Sequence, residues 1–113
     1  MSNKKTPTVF RQGDVLITRI ESLPEGLSKV DRAILAFGEV TGHSHTIHRG
    51  ATAFSLKPQN QVDELTTADY LQVDELIASV THEEHIAVQL PKGTYKVLRQ
   101  VEYTPAALVN VRD

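Results

Sequence analysis

The sequence predicts an all-β fold, a small barrel or sandwich formed by a single domain. Three observations carry that expectation. No segment keeps a 3.6-residue apolar period through three turns, so no amphipathic helix is expected. Residues of opposite facing alternate instead in short runs, as in Val15-Leu16-Ile17-Thr18-Arg19-Ile20 and Ile86-Ala87-Val88-Gln89-Leu90. Turn-forming clusters at Gly13-Asp14, Pro24-Glu25-Gly26 and Pro91-Lys92-Gly93 punctuate these runs, leaving room for six to nine short strands in 113 residues.

Residues 1–7 are polar, end in Pro7 and read as a flexible tail, so the β domain is expected over 8–113. Val9 to Ile20 is strand broken by Gly13-Asp14. Leu23-Pro24-Glu25-Gly26 is a loop, and Ser28-Lys29-Val30-Asp31 resembles a helix-start box cut short by Gly38. Ala33 to Phe37 and Ala51 to Leu56 read as strands, separated by the histidine-bearing stretch. Lys57 to Gln61 is a turn and Val62 to Ala68 a polar loop. Tyr70 to Val73 and Leu76 to Val80 are strand-like, although Asp74-Glu75-Leu76-Ile77 also fits a helical turn. A hairpin is expected about Pro91-Lys92-Gly93. Ile86, Val88 and Leu90 share one face before it, and Tyr95, Val97, Val101 and Tyr103 one face after it. Pro105 ends that strand, and Val109-Asn110-Val111 forms a last short one. The predicted core is Val15, Ile17, Ile34, Phe37, Ile86, Val88, Leu90, Val97 and Val101.

Composition narrows the function. A net charge of −2 gives no basic surface for nucleic acid or anionic membrane, and no apolar run reaches membrane-helix length. The absence of cysteine excludes disulfides, thiolate metal sites and a cysteine nucleophile. Met1-Ser2-Asn3-Lys4-Lys5 lacks the apolar stretch of a secretory signal. A cytoplasmic location is expected, or a virion location if the chain is phage-encoded.

All five histidines fall within residues 43–85, four of them in Gly42-His43-Ser44-His45 and His82-Glu83-Glu84-His85. On an extended strand His43 and His45 project together, as a two-pronged metal clamp, while His48 points away. His82 and His85 share a side if residues 81–85 form a helical turn capped by Thr81; on a strand they face opposite ways. The candidate metal ligands are therefore His43, His45, His82 and His85, with Glu83 as a carboxylate ligand or general base. Three imidazoles, or two and a carboxylate, with one position open suit zinc or iron(II). The same histidines also fit solvated strand ends or pH-tuning groups bonded to backbone carbonyls. Glu39, Glu83 and Glu84 also fit solvated strand ends. Arg99, on an otherwise apolar face, reads as a side chain snorkelling from a sheet edge or as an anchor for an anion or Glu39.

His43-Ser44-His45 followed by Pro91-Lys92-Gly93-Thr94-Tyr95-Lys96 resembles the cupin pattern of H-x-H and P-x-G-x-x-H. That resemblance implies a small β-barrel holding iron, zinc or manganese, with His43 and His45 as ligands. Lys96 stands at the second motif's histidine position, so the remaining ligands would come from His82 or His85. The stretch from Gly38 to His45, with the later His82-Glu83-Glu84-His85, also resembles small bacterial and phage proteins that carry no known activity. Two functions from different classes follow. One is a His-rich metal-binding β-barrel, in its fuller form a metalloenzyme with zinc or iron acting on an unidentified small molecule. The other is a non-catalytic assembly protein, such as a phage virion decoration or adaptor module, self-associating through its edge strands.

Overall fold

The computed structural model describes residues 8–38, 40 and 42–100. The expectations for the tail 1–7, Glu39, Val101, Tyr103, Pro105 and residues 109–111 lie outside them. The described residues form an all-β unit of eight strands and a short 3-10 turn at Gln59–Gln61. The strands are β1 (Val9–Gln12), β2 (Val15–Ile20), β3 (Ser28–Val30), β4 (Ala33–Phe37), β5 (Ser44–Ile47), β6 (Ala51–Ser55), β7 (Tyr70–His82) and β8 (His85–Arg99). They make one antiparallel sheet in the order β1-β2-β8-β7-β5-β4, with β6 also on β7 and β3 on β6.

The spine is the long hairpin of β7 and β8. The start of β7 pairs with β6, Ala51 opposite Val73 and Phe54 opposite Tyr70. Its end pairs with β5, Thr46 opposite Thr81 and Ile47 opposite Val80. The register between β7 and β8 shifts between Val73 and Ile77, where the strand changes neighbour. Such an irregularity bends a strand and increases its twist. One strand thus serves two partners along the same edge, and the sheet curls into half a barrel.

Two local expectations are corrected here. Pro91-Lys92-Gly93 is not a turn, because Pro91 pairs with Ile77 and Gly93 with Val73 in the middle of the hairpin. Arg19 crosses there, donating to the Lys92 carbonyl at 3.0 Å and the Tyr95 hydroxyl at 3.2 Å. A Cβ on Gly93 would lie 2.8 Å from the Arg19 Nη1, so glycine here makes room for a side chain. The actual turn is Glu83-Glu84, with His82 opposite His85, and the helical turn considered for 81–85 does not form.

Val15, Ile17, Leu35, Leu71, Val73, Val80, Leu90 and Tyr95 are sealed from solvent, with Ile34 and Val97 nearly so. Each such aliphatic side chain contributes roughly 1.5–3 kcal/mol by leaving water. Val88 packs against this cluster while partly exposed. Phe37 and Ile86 depart from expectation, being 49% and 90% exposed. Phe37 closes a strand that, among the described residues, pairs only with β5. Ile86 stands beside the β7–β8 turn, where the hairpin tip runs past the core.

Arg99 neither snorkels nor waits for an anion. Its Nη1 donates to the carbonyls of Leu35 (2.6 Å) and Ala68 (3.0 Å), and its Nη2 pairs with Asp69 Oδ1 at 2.6 Å. This half-buried clamp ties the end of β8 to β4 and to the segment entering β7.

Candidate metal centre

The topology places three histidines side by side. Thr46 lies opposite Thr81, so the next step along both strands sets His45 of β5 beside His82 of β7. His82 in turn pairs with His85 across the Glu83-Glu84 turn. A second register shift between Val80 and His82 re-aims the tip. The ring centroids are 4.3 Å apart for His45–His82, 4.7 Å for His82–His85 and 5.6 Å for His45–His85. One ring nitrogen from each lies within 4.8 Å of the others. His45 is buried, His82 half-buried and His85 exposed, so the cluster runs from the interior to the surface.

His43 precedes β5 rather than standing in it. Its ring meets His82 edge-on at 5.9 Å, outside the group of three. Its Nδ1 is buried and 3.1 Å from Glu84 Oε2, but is not aligned for a hydrogen bond. Glu83 Oε1 accepts the Ser44 amide at 3.1 Å. The two turn carboxylates therefore reach the segment before and into β5 and hold it beside the hairpin tip. Glu83 is exposed, and its pKa is lowered by hydrogen bonds from its own backbone amide and that of Ser44, then by the charges of His43 and His82. His48 lies elsewhere, in a groove with Arg49, Glu75, Ile77, Ala78, Ser79 and Thr81.

The β1–β2 turn covers the cluster from the other side. Gln12 is buried, and its Oε1 lies 2.8 Å from His45 Nδ1. Gly13 has φ +58°, a conformation suited to glycine. A Cβ there would fall 2.9 Å from His85 Nε2 and 3.3 Å from His45 Cε1. At the far side a Cβ on Gly38 would fall 3.0 Å from His82 Nε2. Both glycines thus leave space at ring nitrogens. Sequence reading missed Gln12 and the use made of Gly13. The Gly13-Asp14 break was visible, but nothing in the sequence brings a turn at residue 13 against histidines some 30 to 70 positions later.

Burial holds the His45 pKa down to about 4, from an ordinary 6.5, with the neighbouring His82 and His85 lowering it further. Its ring is neutral at physiological pH, the form that ligates metal. Fold and cluster together define a half-barrel β protein with a three-histidine centre consistent with metal binding. Residues 11–100 match the domain of unknown function DUF8820, and the chain belongs to that family. No curated protein and no solved structure matches the chain.

Proposed function

We propose that the protein binds one divalent metal ion, zinc or iron(II), through His45, His82 and His85. The observation that carries this reading is the convergence of one nitrogen from each ring within 4.8 Å. Metal–nitrogen bonds of about 2.1 Å let one ion reach three such atoms. The Gly13 cradle at His85 Nε2 supports it, as does the neutral state of the buried His45. Three imidazoles with a position left open would supply Lewis-acid chemistry, which is the metalloenzyme form of this proposal. In that form Glu83 is the carboxylate base, since its lowered pKa keeps it ionised at the rim of the cluster.

The test is elemental analysis of untagged protein, beside a His45→Ala variant. About one zinc or iron per chain in the wild type and none in the variant supports the proposal. No metal in either, after exposure to both ions, defeats it. A second reading, a self-associating assembly module, draws on the outer strands β1, β3 and β4, which among the described residues pair on one side only.

A further inference from the structure

The buried polar contact behind His45 has a consequence for the whole centre. Gln12 is 3% exposed and is the last residue of β1, just before the β1–β2 turn. Its Nε2 donates to two backbone carbonyls, Val80 of β7 and Ile86 of β8, each at 2.9 Å. Carbonyl oxygens only accept, so the atom between them must be the amide NH2 group. The orientation of the Gln12 side chain is thereby fixed, and its Oε1 must face His45. An amide oxygen also only accepts, so the His45 Nδ1 must carry the hydrogen and donate it. A neutral imidazole has one N–H, which leaves His45 Nε2 as a bare lone pair.

His82 is held in the opposite sense. Its Nδ1 accepts the Glu84 amide N–H at 3.0 Å, which puts the ring hydrogen on Nε2. A metal taken at Nδ1 would replace that amide. A metal taken at Nε2 would move the hydrogen to Nδ1 and oppose two donors. Loading therefore costs His82 its turn hydrogen bond, whereas His45 is ready as it stands.

We infer that Gln12 is the positioning residue of the histidine centre, holding His45 as the Nδ1–H tautomer so that its Nε2 is presented to the metal. The inference rests on the metal reading above. Partners of this kind orient a ligand ring and raise its basicity, and losing one costs about 10–100-fold in metal affinity. Gln12 also couples the site to the fold, because the two carbonyls it grips belong to the two strands that carry His82 and His85.

The test compares wild type, Gln12→Met and Gln12→Glu as full chains. Methionine keeps the length and the apolar bulk but removes all three hydrogen bonds. Glutamate keeps the acceptor toward His45 but offers the two carbonyls one O–H at most, and only when protonated. Nitrogen-15 NMR of the metal-free proteins reads the His45 tautomer, a property that general loosening of the fold would not set. The expected result is Nδ1–H in wild type and Gln12→Glu, with Nε2–H appearing in Gln12→Met. Zinc titration should show about 10–100-fold weaker binding for Gln12→Met, with Gln12→Glu falling between it and wild type. Wild-type binding matched within two-fold by a folded Gln12→Met would overturn the role of Gln12 while leaving the metal reading intact. Failure of the wild type to bind zinc or iron(II) would overturn both.

Discussion

At the scale of single residues, His45 combines burial, a fixed hydrogen bond and a depressed pKa. The sign of its pH effect follows directly. Between the ordinary pKa of 6.5 and the folded value of about 4, the unfolded chain takes up a proton that the folded site refuses. Stability of the metal-free protein should therefore fall as pH drops through that window and level off below it. Thermal melts of wild type and His45→Asn from pH 7 to 4 check this, the variant showing a flatter dependence. An equal slope in both would mean that His45 does not set it. Gly13→Ala should be harmful twice over. Its positive φ costs an L-residue of order 1–3 kcal/mol, and the added Cβ presses on His85 Nε2. A lower melting temperature together with weakened zinc binding is the expected outcome, read by denaturation and titration.

At the scale of elements, the β7–β8 hairpin carries both the core and the site. Leu90 is fully buried at the point where the hairpin leaves the tip, so Leu90→Ala should cost about 2–5 kcal/mol in urea denaturation. A loss below ~1 kcal/mol would show that the tip folds apart from the core. The Arg99–Asp69 clamp joins β8 to β4 through the Leu35 carbonyl and to the segment entering β7 through the Ala68 carbonyl and the Asp69 carboxylate. Arg99→Met strands those acceptors and should destabilise by roughly 2–3 kcal/mol, with zinc affinity per folded molecule unchanged. Strand content was legible because alternation and turn residues leave a local trace, and the strands over 15–20, 33–37 and 51–55 follow it. The hairpin's real turn, Glu83-Glu84, lacks the glycine or asparagine that favours a tight turn, so local chemistry points elsewhere. Pro91-Lys92-Gly93 carries turn chemistry but is used for a bend and for the passage of Arg19. Both signals are local, and the partner strand decides between them.

At the scale of the whole molecule, the curl of one sheet brings distant sequence together. The histidine clusters were conspicuous in sequence, yet their meeting depends on β5 taking the end of β7 while β6 takes its start. Gln12 reaches the site only because β1–β2 pairs along β8 and its turn lies over the hairpin tip. Long-range pairings of this kind leave no local signature, which is why His45, His82 and His85 could be nominated and Gln12 could not. A metal that binds only the folded form adds stability by mass action, about 2.7 kcal/mol when its free concentration is 100 times Kd. Zinc should therefore raise the melting temperature at pH 7.5, and the gain should fade toward pH 4, where His45 itself takes up a proton.

In the proposed centre, three rings from three adjacent strands hold one ion. Anomalous diffraction at the zinc edge, from crystals grown with equimolar zinc, tests it most directly. One strong peak is expected, about 2.1 Å from His45 Nε2 and from one ring nitrogen each of His82 and His85. A peak confined to His48 or to the His43–Glu84 pair, or no peak at all, would contradict it.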